Sequence, residues 1–379
     1  MGAALVALLV ALAAGAWMWT VPRHEPFEQF TITQATNTGR AVVAAISPDS
    51  KFIFDAQRDA NGQSLWLRNI ETGSHTQVVA PQPVVYGSVA YSPDGNHVYS
   101  RLAIGGISNV FNLQRAPVLG GTPQQLVHDI DSNVTFSPNG DRIAFARANS
   151  PKARVMSLHM SAADGTNVQV LLTEPMISGY YSPPAWSPDG RYIAYAAPRA
   201  ADRVGELVVF ELASQQKRGL FSTREMVLQD LTWSSDQRRV LLLYGSRGDG
   251  FSRWQIGGVS YPEGVFRTIT NDTNHYATLQ FSAAAASLVS VVSKTTTTIE
   301  VRNSAPAESD LRAPPIIESR EAIRGFTWTR GGRILYARGA RLLERAADGG
   351  ERVVLESVAN SPLANPAIWP GTGQVIFDW

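Results

Sequence analysis

Six histidines, His24, His75, His97, His128, His159 and His275, are the side chains best suited to metal binding or proton transfer in this chain of 379 residues. No two stand at a close ligand spacing such as i, i+4, so they describe no histidine metal site. His275, in "NDTNHY", reads as a loop histidine beside an outer strand. Cysteine is absent, which removes disulfides, thiolate metal sites and thiol nucleophiles together. No Gly-x-Ser-x-Gly pentapeptide supplies a serine nucleophile elbow. "RDANGQ" from Arg58 and "SAADGTN" from Ser161 have acidic-glycine spacing, yet lack the alternating ligands and terminal glutamate of a calcium loop. Both read as hairpin turns. Catalytic residues, cofactor-binding residues, metal ligands and cofactors are therefore each expected to be none, and the chemistry points to binding.

The composition is that of a folded protein, 44% hydrophobic and 17% charged. A net charge of +1 without long runs of either sign removes the electrostatic reason to expect a nucleic-acid partner. The short basic pairs Lys217-Arg218 and Arg238-Arg239 read as solvated loop or strand-edge positions.

The elements that must carry any site are repeats. "AISPDSKFIFDA" at Ala45 recurs as "AYSPDGNHVYSR" at Ala90, "TFSPNGDRIAFA" at Thr135 and "AWSPDGRYIAYA" at Ala185. Weaker copies are "TWSSDQRRVLLL" at Thr232, "QFSAAAASLVSV" at Gln280, "TWTRGGRILYAR" at Thr327 and "IWPGTGQVIFDW" at Ile368. From Ser47 through Ser92, Ser137, Ser187, Ser234, Ser282 and Thr329 to Pro370, the spacings are 45, 45, 50, 47, 48, 47 and 41 residues. In Ser-Pro-Asp-Gly, proline presets the first turn corner, aspartate bonds its local backbone and glycine accepts the left-handed conformation. Each motif is a hairpin turn between strands whose β-branched and aromatic residues show no clean polar face, as strands buried on both faces do. A third strand ("SLWLRNIETG" at Ser64) and a short fourth ("TQVVA" at Thr76) complete a four-stranded unit. Units of this size stacked on like neighbours make a β-propeller. A β-sandwich, the runner-up, keeps no such period.

The expected fold is all-β: a propeller over residues 30–379 of about eight blades, seven complete and a partial last one, with a seven-bladed ring as the alternative. "FTITQATN" from Phe30 repeats "RTITNDTN" from Arg267, the outer strand of a blade. Thr31 to Thr36 are thus expected to close the last blade, and because that blade stops after two strands they would pair with Gln374 to Trp379 or leave the ring imperfectly closed.

Gly2 to Val21 run twenty residues without a charge, enough to cross a bilayer. "AGA" at Ala14 to Ala16 offers a signal-cleavage site, but no basic n-region precedes it. The apolar run continues past that site, and Trp17 and Trp19 suit an interface belt, which favours an uncleaved anchor. The missing basic flank leads to the expectation that the natural chain began upstream of Met1. Residues 1–21 are read as a transmembrane helix or signal anchor and 22–29 as a linker, with the propeller outside the cytoplasm.

The "[W/F]SPDG…IA[Y/F]" hairpins and "ADGT" turns resemble the TolB-type propeller repeat. "FTITQATNTG", "AAISPDSKFI", "QSLWLRNIETGSHTQVV", "APVLGGTPQQLVHDIDSNVTFSPNGDRIAFAR" and "VSYPEGVFRTITNDTNHY" further resemble, in order, the extracytoplasmic part of bacterial transmembrane serine/threonine kinases of acidobacterial type. The resemblance runs from Phe27 to the end and implies a single-pass inner-membrane protein whose periplasmic propeller binds a protein or small-molecule ligand. The kinase itself is missing: no glycine-rich phosphate loop, strand lysine, HRD-type loop or DFG-type aspartate occurs. "SRGDGF" at Ser246 reads as a turn. The resulting expectation is a membrane-anchored sensor without catalytic residues; a released periplasmic TolB-like scaffold is the alternative, and a propeller hydrolase or lyase a third reading.

Overall fold

The computed structural model describes residues 30–105, 110–176, 182–199, 204–247, 253–282, 287–294, 296–301, 316–357, 363–369 and 371–378. All regular structure among them is β. The first sheet is a meander of Ala41–Ile46, Phe52–Asp59, Gly62–Asn69 and His75–Gln82, each strand antiparallel to the next. The second (84–127), third (135–175), fourth (185–223) and fifth (226–268) sheets repeat that order.

The turn chemistry builds the hairpins as expected. Ser47 Oγ donates to Asp49 Oδ1 at 2.6 Å and accepts the Phe52 amide at 2.9 Å, so one side chain closes the turn from both ends. Ser187 with Asp189 and Ser234 with Asp236 copy it. The left-handed corner is glycine at Gly95, Gly140 and Gly190, whereas Ser50 and Gln237 take it with φ of 59° and 57° and carry the strain.

Strand alternation sends one set of side chains to each neighbouring sheet. Phe54, Ala56 and Leu65 of the first sheet bury against Val89, Tyr91 and Val98 of the second. Tyr99, Leu113, Ile143 and Phe145 fill the next seam. Ala144 and Leu158 meet Trp186 and Ile193, and Ala194, Leu207 and Val209 meet Leu231, Trp233 and Leu242.

Hydrogen bonds trace the same circuit. The Tyr86 amide donates to Gln63 Oε1, Tyr99 Oη to the Ala163 carbonyl, the Trp186 amide to Thr135 Oγ1 and Trp233 Nε1 to the Ala185 carbonyl. The Leu279 amide donates to Asp230 Oδ2, and Ser282 Oγ to the Pro48 carbonyl. That last bond returns to the first sheet, where Ala41–Ile46 also packs against Gln280–Ser282 and Ser287–Val289. Sheets joined in a circuit through their inner strands constitute a β-propeller.

The expected ring of eight, or of seven, is corrected here: among the described residues the circuit closes between the first and sixth repeats. The period counted hairpins correctly, but once the sixth inner strand meets the first no slot remains for the seventh. The seventh repeat forms its own four-stranded sheet (323–356), and the eighth hairpin, Ala364–Ile368 with Val375–Asp378, packs on it through Leu335, Ala337, Leu342 and Leu363. Trp186 and Trp233 are 8% and 4% exposed, while Trp328 and Trp369, at the same place in the last two repeats, are 50% and 56% exposed.

The expected closing strand is corrected as well. Phe30 to Arg40 forms no strand, and Phe30 and Ile32 are exposed. Val375–Asp378 pairs only with Ala364–Ile368 among the described residues. The anchor and linker expected over residues 1–29 lie outside the described residues, among which no helix is long and apolar enough to cross a membrane.

Candidate functional site

Counting four residues back from each turn serine gives one inner-strand position per ring sheet: Val43, Ser88, Asn133, Pro183, Asp230 and Thr278. Asn133 belongs to the third repeat and Asp230 to the fifth, which are not neighbours in the circuit. Even so, Asn133 Nδ2 donates to Asp230 Oδ1 at 3.3 Å, so the two meet across the axis of the ring. Asp230 Oδ2 accepts the Leu279 amide of the sixth repeat at 2.6 Å. One carboxylate thereby ties three repeats together.

Its backbone explains how it reaches there. The ladder between Met226–Trp233 and Arg239–Ser246 slips between Gln229 and Thr232, and Asp230, inside that bulge, has φ of 51°. Bulges re-aim side chains, and left-handed non-glycine residues cost about 1–3 kcal/mol. Burial pushes the Asp230 carboxyl up to about 7, against the opposing pull of the Leu279 amide, the Asn133 amide and the Arg101 charge. The group exchanges a proton near neutral pH.

Arg101 lies on the second strand of the second sheet, paired in register with Ser88. Its guanidinium stacks on the Phe111 ring, 4.2 Å from the centroid. Gly87 makes room for it, since a Cβ there would sit 2.5 Å from Arg101 Nη2 and 2.9 Å from the Phe111 ring. Asp131, two residues before Asn133, accepts the Ala148 amide at 2.7 Å and has its pKa raised, first by burial, with Arg101 and Arg147 acting in the opposite sense. The axial site offers carboxyl, carboxamide and guanidinium groups, which is hydrogen-bonding and ion-pairing chemistry.

The histidines are scattered. His75 Nε2 lies 3.5 Å from Oδ1 of the buried Asp55. Gln57 Nε2 donates to Asp55 Oδ2 at 2.8 Å, and the Trp66 ring lies 4.5 Å from the imidazole. Burial raises the Asp55 pKa. His159 stacks on Phe145 at 5.4 Å, shares a 2.8 Å hydrogen bond with Ser157 Oγ, and is pushed down to about 4 by burial. His97 and His275 lie in strands, the latter opposite Ser293 rather than in a loop, and the His128 carbonyl accepts from Arg147. His24 lies outside the described residues. No group of three or more His, Asp or Glu able to hold a metal occurs among the described residues.

Both acidic-glycine stretches are turns. Asp59 Oδ1 accepts the Asn61 amide, and Asp164 Oδ1 accepts the Thr166 amide and hydroxyl. Most of "SRGDGF" lies outside the described residues. Asp230 belongs to no motif; its signal in the sequence is an acid at a repeat position otherwise filled by uncharged residues.

No family model matches the chain, and no curated protein matches it. Solved structures similar to it include TolB from Agrobacterium tumefaciens, at 17% identity over 83% of this chain and 96% of that one, with a TM-score of 0.48. Oligogalacturonate lyase in complex with manganese is 14% identical over 85% of this chain and 78% of that one, with a TM-score of 0.49. Puromycin hydrolase is 13% identical over 90% of this chain and 58% of that one, with a TM-score of 0.45.

Proposed function

We propose that this chain is a binding propeller: an extracytoplasmic recognition domain, tethered by the apolar segment Gly2 to Val21, that takes up a protein or small-molecule ligand at the axial end of its ring. The observation that carries the reading is Asp230. A buried carboxyl held in a left-handed bulge, bridging three repeats across the axis with a pKa near neutrality, is costly to fold. Groups of this kind accumulate where a rigid scaffold presents a recognition site. The surrounding Asn133, Arg101 and Asp131 bind and orient; no nucleophile paired with a base stands among them.

Resemblance in the non-repeated phrases, such as "APVLGGTPQQLVHDIDSN", supports the narrower reading of a sensor whose relatives report to a cytoplasmic serine/threonine kinase. The test is a binding screen of the purified chain against peptides, glycans and envelope proteins, repeated with Asp230→Asn. A ligand lost or weakened at least tenfold in the variant supports the reading. Equal binding by both forms, or hydrolytic or lyase activity without binding, overturns it. N-terminal sequencing of the mature protein separates the tethered form from a released TolB-like scaffold, because a start near Trp17 rules out the tether.

A further inference from the structure

The first sheet has two unlike faces. Phe54, Ala56 and Leu65 bury against the second sheet, and strand alternation turns Asp55, Gln57, Ser64, Trp66 and Arg68 the other way. Asp55 is paired in register with Trp66, and Trp66 with Gln77, so His75 joins this polar face from the outer strand. Asp55 is 0% exposed and Gln57 5%.

Three side chains of this face converge. His75 Nε2 lies 3.5 Å from Asp55 Oδ1 and 3.3 Å from the end of the Gln57 carboxamide, which is itself 2.8 Å from Asp55 Oδ2. With its nitrogen in that place Gln57 donates to both neighbours, the imidazole lone pair is used, and the buried Asp55 Oδ1 accepts no hydrogen bond among the described residues. Moving the imidazole proton to Nε2 would supply Oδ1 but set that N–H against the Gln57 N–H. Turning the carboxamide over would set Oε1 against Oδ2. Beside an ionised carboxylate, no placement of the hydrogens satisfies all three contacts, and a buried carboxylate oxygen without a donor is costly.

One cation among them resolves the conflict. Asp55 Oδ1, His75 Nε2 and, with the carboxamide turned over, Gln57 Oε1 can all direct lone pairs to it. Ligands bound at about 2.0–2.2 Å stand about 2.9–3.5 Å from one another, which matches these separations. The imidazole is held for the purpose: the Trp66 ring lies 4.5 Å from it, and Trp66 Nε1 donates to Ser64 Oγ at 2.9 Å. Arg68, the cation on the same face, turns Nη1 to the Gly73 carbonyl at 3.4 Å.

We propose that Asp55, Gln57 and His75 form a binding site for a divalent transition-metal ion, with carboxylate, carboxamide oxygen and imidazole Nε2 as its ligands. One imidazole with two oxygens and no thiolate suits Zn²⁺ or Co²⁺ better than the all-oxygen cations Ca²⁺ and Mg²⁺. Helical ligand spacing does not reveal the site, because Asp55 and Gln57 stand at i, i+2 on a strand and His75 follows 18 residues later on another.

The test uses the full chain, stripped with EDTA and dialysed, then titrated with Zn²⁺ by calorimetry and with Co²⁺ by visible absorption. One equivalent of Zn²⁺ is expected to bind, Co²⁺ is expected to develop ligand-field absorption, and Zn²⁺ is expected to raise the thermal midpoint. Asp55→Asn keeps the shape and removes the charge; His75→Phe keeps a ring against Trp66 and removes the ligand. Each should weaken Zn²⁺ binding at least tenfold and abolish the thermal shift, so that a folding failure of one variant leaves the other to decide. Asp230→Asn should bind Zn²⁺ as wild type does, which separates this site from the axial one. Absence of Zn²⁺ binding, or undiminished binding by both Asp55→Asn and His75→Phe, would overturn the proposal.

Discussion

Ser50 Oγ and Ser282 Oγ lie 2.6 Å apart although 232 residues separate them, and Ser282 Oγ also donates to the Pro48 carbonyl at 3.0 Å. The turn of the first repeat thus touches the inner strand of the sixth, and the ring is closed by side chains rather than by a shared strand. The seams from the first sheet round to the fifth carry apolar clusters, whereas the other face of the first sheet carries Asp55, Gln57 and Ser64, all buried.

The chain has no cysteine, so Ser50→Cys with Ser282→Cys creates a single thiol pair. Oxidation should give a disulfide across the closure seam. Constraining so long a loop is expected to add about 2–5 kcal/mol to stability. Calorimetry of the oxidised and reduced forms checks it; failure to cross-link would show that the seam is not closed in solution.

Asp230 makes stability depend on pH in a defined direction. Its folded pKa of about 7 exceeds the ordinary 3.8, so between these values the folded state holds the proton longer than the unfolded one. Its contribution is complete below about pH 4 and is lost as pH rises through 7, a change of about 4 kcal/mol at most. Asp230→Asn removes that slope, which urea midpoints from pH 4 to 8 would register.

His159 works against it. Burial holds its pKa near 4 rather than 6.5, so its contribution is present above pH 6.5 and is lost as pH falls through 4. Over the shared window of about 4 to 6.5 the two slopes oppose, each about 1.4 kcal/mol per pH unit. Relative to the wild type across that window, Asp230→Asn should therefore gain stability with rising pH and His159→Gln should lose it. The same urea titration compares all three proteins.

The last two repeats offer a test of ring membership. Trp233, 4% exposed with Nε1 3.0 Å from the Ala185 carbonyl, should cost about 3–5 kcal/mol when changed to alanine. Trp328 occupies the equivalent position but is half exposed, and Trp328→Ala should cost about 1 kcal/mol or less. Similar costs for both would mean that the seventh repeat is packed as the ring repeats are.

Much of this was legible in the residues. The first five turns marked by the period, and the seventh after Thr329, each lie between two paired strands. Serine, aspartate and glycine at fixed offsets act on their own backbone, so a local pattern sufficed. The axial site was half legible: aligning the repeats puts Asn133 and Asp230 at one position, but their contact spans 97 residues and appears only when the sheets are set around an axis.

The amino-acid sequence by itself determined the hairpins, the four-stranded unit and the alternation that buries both faces, because turn geometry and strand period are encoded within a dozen residues. Only the tertiary structure decided where the ring closes and that Phe30 to Thr36 is not its closing strand. Those outcomes depend on which of several similar apolar faces meet. Repeats with nearly interchangeable faces leave that choice to the packing of the whole chain, where Ser282 reaches Ser50 before a seventh sheet can intervene.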